Sequence, residues 1–537
     1  MALTETVRDG TAHSDETAPR HAKRSTGRPW RMFAVVLVLA FLNMAVWSLA
    51  TPLFASPDEP AQVARAVALV HGDLIGRTVH NDSDAITHVT IPRVYEAGAS
   101  YGSCFTFKDT VSAACAKPLA TSTREVRAIT YVGRYPPLYY AIVGLPSLFT
   151  SSSTGIYAMR LVSALLNAVF LALAALSIVA WSQSRLLLVG LLTAATPMTF
   201  FLGGMVNPSG LEITSATCLW CAGLVLALER TDKPPPGLVA VITVAASTLL
   251  LTRALSPLWV VGILLLLALL AGWRGVRAVA RAHSAHWALV PLTLLGGFAV
   301  GWIVWAHALD LLPVGVKAKG AGLPLAASIL GNTATWLQQM VGIFGWLDTL
   351  SPLLTYVVWA GVVGLFLLLA LSCAQARHVV ALLLLLAIVV FVPVAISYGQ
   401  AHRLGIIWQA RYIMPMAVGV PLMAVALVER SAALSAVRTR VATLICMALA
   451  VGACGAFGEA LRRYVTGVNG PIDYLHVAHK VWHPPFGATT LTIVAFAVIA
   501  LYAGFVRRLM TIEPGRGVRG PTLVAAGDGG LLSPSPP

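Results

Sequence analysis

Runs of about 20 apolar residues recur from Met32 to the neighbourhood of Arg507, and few folds are open to such a chain. Inside a bilayer every backbone N–H and C=O must be satisfied by the protein itself, so runs of this length read as transmembrane α-helices. Charged residues are only 11% of the 537, where ordinary soluble domains carry about 25%. The expected fold class is all-α, a polytopic integral membrane protein with about 12 transmembrane helices.

The net charge of +15 is therefore read by position. No compact basic domain with interleaved aromatics is present, so nucleic acid is not an expected partner. Residues 1–31 carry Arg20, Lys23, Arg24, Arg28 and Arg31 and read as a cytoplasmic tail before an uncleaved first helix at 32–51. A polar segment, 52–155, follows. It ends in Tyr135-Pro136-Pro137-Leu138-Tyr139-Tyr140 and a short apolar run that contains Pro146 and stops near Phe149, too short to cross about 30 Å of hydrocarbon. Charge settles the topology. If that run does not cross, Arg185, Arg230 with Lys233, Arg274 with Arg277 and Arg281, Arg377, Arg430 with Arg438 and Arg440, and Arg507 with Arg508 all fall inside. The expected order is then a bundle at 156–306, an outer loop at 307–351, and a second bundle at 352–508 with an outer loop at 460–487. The Gly-, Pro- and Ser-rich 509–537 reads as a disordered cytoplasmic tail. Both termini are expected inside.

Just past the first helix stands Ser56-Pro57-Asp58-Glu59-Pro60. Ser56 suits an N-cap, Pro57 the first helical position and Glu59 a capping box. The helix so opened is expected to be amphipathic, with Val63, Val67 and Val70 on one face and Asp58, Gln62 and Arg65 on another, lying on the bilayer surface. Further polar groups fall on the same outer side: Arg134-Tyr135, Asn207-Pro208-Ser209 with Glu212, Trp346-Leu347-Asp348, and Trp408-Gln409-Ala410-Arg411-Tyr412, with Arg253 near the outer end of its helix. Each has a plain structural reading. Prolines shape loops, Asn207 caps a helix, tryptophans anchor at the interface and a lone arginine snorkels. Together they suit an outward polar cavity. A carboxylate can take a proton from an acceptor hydroxyl or help hold a divalent metal, magnesium or manganese. Arginine forks can grip the phosphate of a lipid-linked sugar.

Cys104 and Cys115 share the outer segment and read as a disulfide if that side is oxidising. Cys218-Leu219-Trp220-Cys221 falls within a span and reads as packing. Asp473, His476, His479 and His483 have helical spacing and read as the polar face of an interfacial helix or, less readily, as a metal set.

Pro57-Asp58-Glu59-Pro60, Tyr135-Pro136-Pro137-Leu138-Tyr139-Tyr140, Val206-Asn207-Pro208, Gly345-Trp346-Leu347-Asp348 and Trp408-Gln409-Ala410-Arg411-Tyr412 form an ordered set. The set resembles a bacterial family of predicted membrane proteins catalogued as domain of unknown function 2142. That family in turn is similar to the C-type glycosyltransferases. The resemblance implies a multi-pass enzyme of the bacterial plasma membrane. It would use a polyprenyl-phosphate-linked sugar donor at the extracytoplasmic face, act on an envelope glycan, lipid or protein acceptor, and work among membrane lipids. It implies Asp58 as the base, with Glu59 as a metal ligand or as a partner that orients the site. Arg134, Tyr135, Arg253, Asp348, Arg411 and Glu212 would bind substrate. Where some C-type enzymes place an aspartate after the third span, this chain has Ser209, with Glu212 three residues on. From another functional class, a secondary transporter or a lipid or polysaccharide flippase would also suit about twelve spans, with its essential charges at mid-membrane. A non-catalytic scaffold would tolerate loss of Asp58 and Arg411.

Overall fold

The computed structural model describes residues 27–79, 85–183, 185–229, 233–310, 315, 317–429, 438–476 and 481–511. Helices dominate, because the apolar runs leave backbone groups no partner but their own. Helix α1 (Gly27–Ala50) is followed by the polar segment, which holds α2 (Glu59–Val70), the strands β1 (Thr87–Pro92) and β2 (Glu125–Thr130), and the short α3 (Arg93–Glu96), α4 (Gly98–Tyr101) and α5 (Leu138–Val143). The strands pair antiparallel, with Thr87 opposite Thr130 and Pro92 opposite Glu125. The segment read as loop and interfacial helices thus also contains a small sheet. Helix α5 has only 6 residues, and after Gly144 the chain turns into a 3-10 turn at Leu145–Leu148.

The bundle continues with α6 (Ser153–Trp181), α7 (Leu187–Ala194), α8 (Pro197–Gly203), α9 (Pro208–Leu228), α10 (Pro236–Leu250), α11 (Ser256–Ala280) and α12 (His283–Trp305). After α13 (Gly322–Gly331) and α14 (Thr333–Gly342) come α15 (Leu353–Cys373), α16 (Ala376–Gln400), α17 (Met414–Ala417), α18 (Gly419–Val428), α19 (Arg438–Thr466) and α20 (Ala488–Thr511). Among the described residues nine helices are long and apolar enough to cross a membrane, and the apolar stretches 236–250 and 414–428 are shorter.

Prolines and glycines account for the differences from uninterrupted spans. The run 186–203 breaks because Pro197 has no N–H; Thr196 turns extended and caps α8, accepting from Thr199 N at 3.3 Å. The stretch from Met414 passes from α17 to α18 through Val418 in helical backbone, and Gly419 lies so close to the Trp220 ring that a Cβ would come within 2.5 Å of it. Helix α11 breaks at Gly272 (φ 66°), and the side chain of Arg377 packs against the missing Cβ.

Helix ends meet at the polar segment. Arg160, in the second turn of α6, donates to the carbonyls of Ser48 and Thr51 at the end of α1, both at 2.8 Å. The chain between these helices therefore starts and ends at the same end of the bundle. Asn207 before α9, Arg411 before α17, Arg463 near the end of α19 and Trp302 near the end of α12 all bond to the same segment.

Helix α2 is not a surface helix. Glu59, Gln62 and Arg65 are buried with its apolar residues, enclosed by the hairpin, α3, α4 and α5. Gln62 accepts from Tyr140 Oη at 2.5 Å, and Arg65 donates to the carbonyls of Leu74 and Tyr135. The capping expectation also fails. The helix begins at Glu59, its N-cap position is Asp58 in left-handed backbone (φ 61°), and Ser56 Oγ is buried without a hydrogen-bond partner. Asp58 does not cap because its carboxylate is engaged elsewhere.

Candidate functional site

The turn Pro57-Asp58 is held by side chains from distant elements. Asn207 Nδ2 donates to Pro57 O at 3.0 Å, and its Oδ1 caps α9 by accepting from Ser209 N at 3.0 Å. Arg411 Nη1 donates to the same Pro57 carbonyl at 3.2 Å. Arg411 Nη2 pairs with Asp58 Oδ2, and Tyr131 Oη donates to Asp58 Oδ1 at 2.8 Å. The Asp58 side chain is 23% exposed, whereas Arg411 is 5% exposed.

A second acid–arginine pair stands beside the first. Arg253 Nη1 lies 3.5 Å from Glu212 Oε2 and donates to Ser209 Oγ at 2.9 Å; Ser256 Oγ donates to Glu212 Oε1 at 2.8 Å. Tyr412 joins the pairs. Its ring centroid is 4.7 Å from the Arg253 guanidinium and 5.2 Å from that of Arg411, and the Tyr135 ring stacks on Arg253 at 5.7 Å. Asp58, Tyr135, Glu212, Arg253 and Arg411 thus form one cluster. Tyr131 also belongs to it, and nothing local in the sequence marks that residue.

Asp58 lies outside the membrane helices. Burial raises its carboxyl pKa, but Arg411, the Tyr131 hydroxyl and Arg253 outweigh that and hold it below the ordinary value. The phenol of Tyr131 is pushed upward by burial and by the neighbouring Asp58 charge. Asp58 is therefore a resident anion and Tyr131 a neutral donor across the physiological range.

Three residues stand apart from this cluster. Glu59 is fully buried and forked by Arg160, with Nε to Oε1 at 2.7 Å and Nη2 to Oε2 at 2.6 Å, and Val206 N donates to Oε1 at 3.2 Å. Arg134 turns to Asp310 at 3.3 Å and to Thr78 Oγ1 at 3.1 Å. Asp348 accepts from Arg463 Nη2 and from Phe107 N, both at 3.1 Å.

Cys104 and Cys115 are joined in a disulfide. Arg463 donates to three carbonyls within its loop, Phe105 at 2.8 Å, Val111 at 2.9 Å and Lys108 at 3.2 Å. This clamp touches the chain just before Asp58, through Trp346 Nε1 to Phe54 O at 3.2 Å and Tyr464 Oη to Ala55 O at 3.4 Å. Replacing both cysteines by serine is expected to lower stability by about 2–4 kcal/mol. Thermal unfolding with and without reductant checks it; the oxidised wild type alone should show the higher midpoint. Cys218 and Cys221 are free and buried in α9. Asp473 precedes a 3-10 turn at Tyr474–His476, the side chain of His476 and all of His479 lie outside the described residues, and His483 lies in a stretch without regular secondary structure.

Among the described residues no group of three or more His, Cys, Asp or Glu is placed to hold a metal ion. Both oxygens of Glu59 are taken by Arg160, and Asp58 and Glu212 each face an arginine. A divalent cation needs several oxygen ligands and is repelled by guanidinium charge. The donor set fits a phosphate better than a divalent metal.

This fold and this cluster define a multi-pass helical membrane protein with a partly exposed carboxylate set among arginines and tyrosines. The chain belongs to the family described as predicted membrane protein DUF2142, which matches residues 41–420. No curated protein matches it. Among solved structures it is similar to ArnT from Cupriavidus metallidurans in the apo state, with 14% identity and a TM-score of 0.42 over 90% of this chain and 76% of that one. It is likewise similar to the same protein bound to undecaprenyl phosphate, with 14% identity and a TM-score of 0.40 over 90% and 77% of the two chains.

Proposed function

We propose that the chain is a membrane glycosyltransferase. It moves a sugar from a polyprenyl-phosphate donor to an envelope glycan, lipid or protein acceptor at the extracytoplasmic face of the plasma membrane. The observation that carries this reading is the Asp58–Arg411 pair, a partly exposed carboxylate whose counter-ion is a buried guanidinium with a second arginine beside it.

Phosphate is the ligand that a pair of arginines with backing tyrosines suits best. In the proposed reaction the acceptor hydroxyl oxygen attacks the anomeric carbon of the sugar. The carbon–oxygen bond to phosphate breaks, polyprenyl phosphate leaves on Arg411 and Arg253, and the hydroxyl proton passes to Asp58. At rest Asp58 is a weak base because Arg411 neutralises it. A donor phosphate arriving on Arg411 draws that charge away and raises the basicity of Asp58 when it is needed. Tyr131 keeps the second carboxylate oxygen in place. No step is routed through a metal.

The test is transfer of radiolabelled sugar from polyprenyl-phosphate donors by purified protein, comparing wild type with Arg411→Lys. Lysine keeps the charge but loses the fork. The expected result is a donor KM raised about tenfold with the fold intact. Wild type that transfers nothing from any such donor, yet moves lipid or glycan across vesicle membranes, overturns the reading in favour of a transporter or flippase.

A further inference from the structure

At the end of the bundle opposite Asp58, a groove of about 960 Å³ runs between α10, the end of α11 and the start of α12. Its position follows from the chain. Ser256 opens α11 at the Glu212 pair and Trp302 near the end of α12 bonds Arg134 O, so Ala280 and His283 lie at the far end. Val239, Val244 and Ala288 supply an apolar wall, and Lys233, Arg281 and Trp287 stand at its mouth. Trp287 is 67% exposed and Val244 50%. Among the described residues lining the groove none is acidic.

Helix α11 breaks at Gly272 before it reaches this end, and Arg281, which follows its last residue, lines the groove together with Lys233. The result is an apolar cleft in the flank of a membrane bundle, opening at a rim of cations with an indole beside it.

We propose that this groove is a binding site for an anionic phospholipid, its phosphate on Lys233 and Arg281 and an acyl chain along the wall formed by α10 and α12. Cations at the rim select the charge of the headgroup, and the apolar wall selects a chain over water. A free anion would use the rim alone and leave the wall wet. The Asp58 cluster is at the other end and takes no part, so this site stands whether or not the chain transfers sugar.

The test uses full-length protein purified in detergent and titrated with phosphatidylglycerol or phosphatidylcholine, with bound lipid counted by native mass spectrometry. Wild type is expected to retain phosphatidylglycerol about tenfold better than phosphatidylcholine. The double variant Lys233→Gln/Arg281→Gln should lose that preference. Val244→Trp should lower retention of phosphatidylglycerol by filling the cleft while the rim charges stay. Equal retention of the two lipids by wild type overturns the proposal, as does a double variant that keeps the preference. Displacement of phosphatidylglycerol by millimolar inorganic phosphate would also overturn it, because the site would then recognise an anion and not a lipid. All three substituted residues are exposed.

Discussion

Replacing Arg160 with methionine is expected to leave a chain that does not reach a stable fold. Arg160 uses all five of its N–H donors. Two go to Glu59, and three to the carbonyls of Ser48, Thr51 and Pro52. Both charged side chains are fully buried. Removing one partner of such a pair costs about 3–5 kcal/mol, because the other charge remains buried without compensation. That is a large share of the roughly 5–15 kcal/mol that holds a typical domain together. Yield and thermal unfolding of the detergent-solubilised variant measure the effect. Glu59→Gln should be nearly as damaging, since it strands the guanidinium. If Glu59 instead served chemistry, Glu59→Gln would unfold at the wild-type midpoint and lose only activity. That outcome would return Glu59 to the reacting centre.

Asp58→Asn is expected to behave in the opposite way, keeping the fold and losing transfer by about 10²–10⁴-fold, the range that a general base contributes. Asparagine is the right replacement because the position has left-handed backbone, which asparagine tolerates and which alanine would strain. The amide still accepts from Tyr131. The pH dependence separates a base from a structural anion. The free-protein carboxyl is held below its ordinary value. Its pairing with Arg411 is therefore fully present above the unfolded pKa of about 3.9 and is lost only as pH falls through the lower folded value. So kcat/KM, which reports the free enzyme, should show no acidic limb from this group above about pH 4. If donor phosphate draws Arg411 away, the acidic limb of kcat should lie at higher pH than that of kcat/KM. Asp58→Asn that transfers at the wild-type rate would remove Asp58 from the chemistry.

How much of this could be read from the chain depended on distance along it. That the chain is built of long apolar helices was legible because apolar runs are local. The short run after Pro137 was legible as too short for a span, since thirteen or so residues with a proline cannot bridge about 30 Å, and it forms only the six-residue α5 and a 3-10 turn. Pairings were not legible. Glu59 with Arg160, Asp348 with Arg463 and Asp58 with Arg411 lie 101, 115 and 353 positions apart, and a single sequence carries no record of such contacts. One signal was available. Arg160 lies within a predicted span, and an intramembrane arginine calls for a partner. At Ser56–Glu59 the local pattern showed that a helix opens here but placed its start two residues early and its cap wrongly. Tertiary bonds to Asp58 outweigh a cap worth about 1 kcal/mol.

Helix α10 has 15 residues, about 22 Å of helix, against a hydrocarbon core of about 30 Å. Its neighbours α11 and α12 have 25 and 23 residues. Part of its surface is exposed, at Gly237, Ala240 and Val244. A bilayer closed around this chain therefore thins beside α10 or draws its headgroups inward there, at a cost of fractions of a kcal/mol for each ångström. The acyl-chain length of the host membrane thus becomes a control on the protein. Short chains relieve the mismatch at this flank, and long chains load it onto the joint between α10 and α11, where Arg253 holds Glu212.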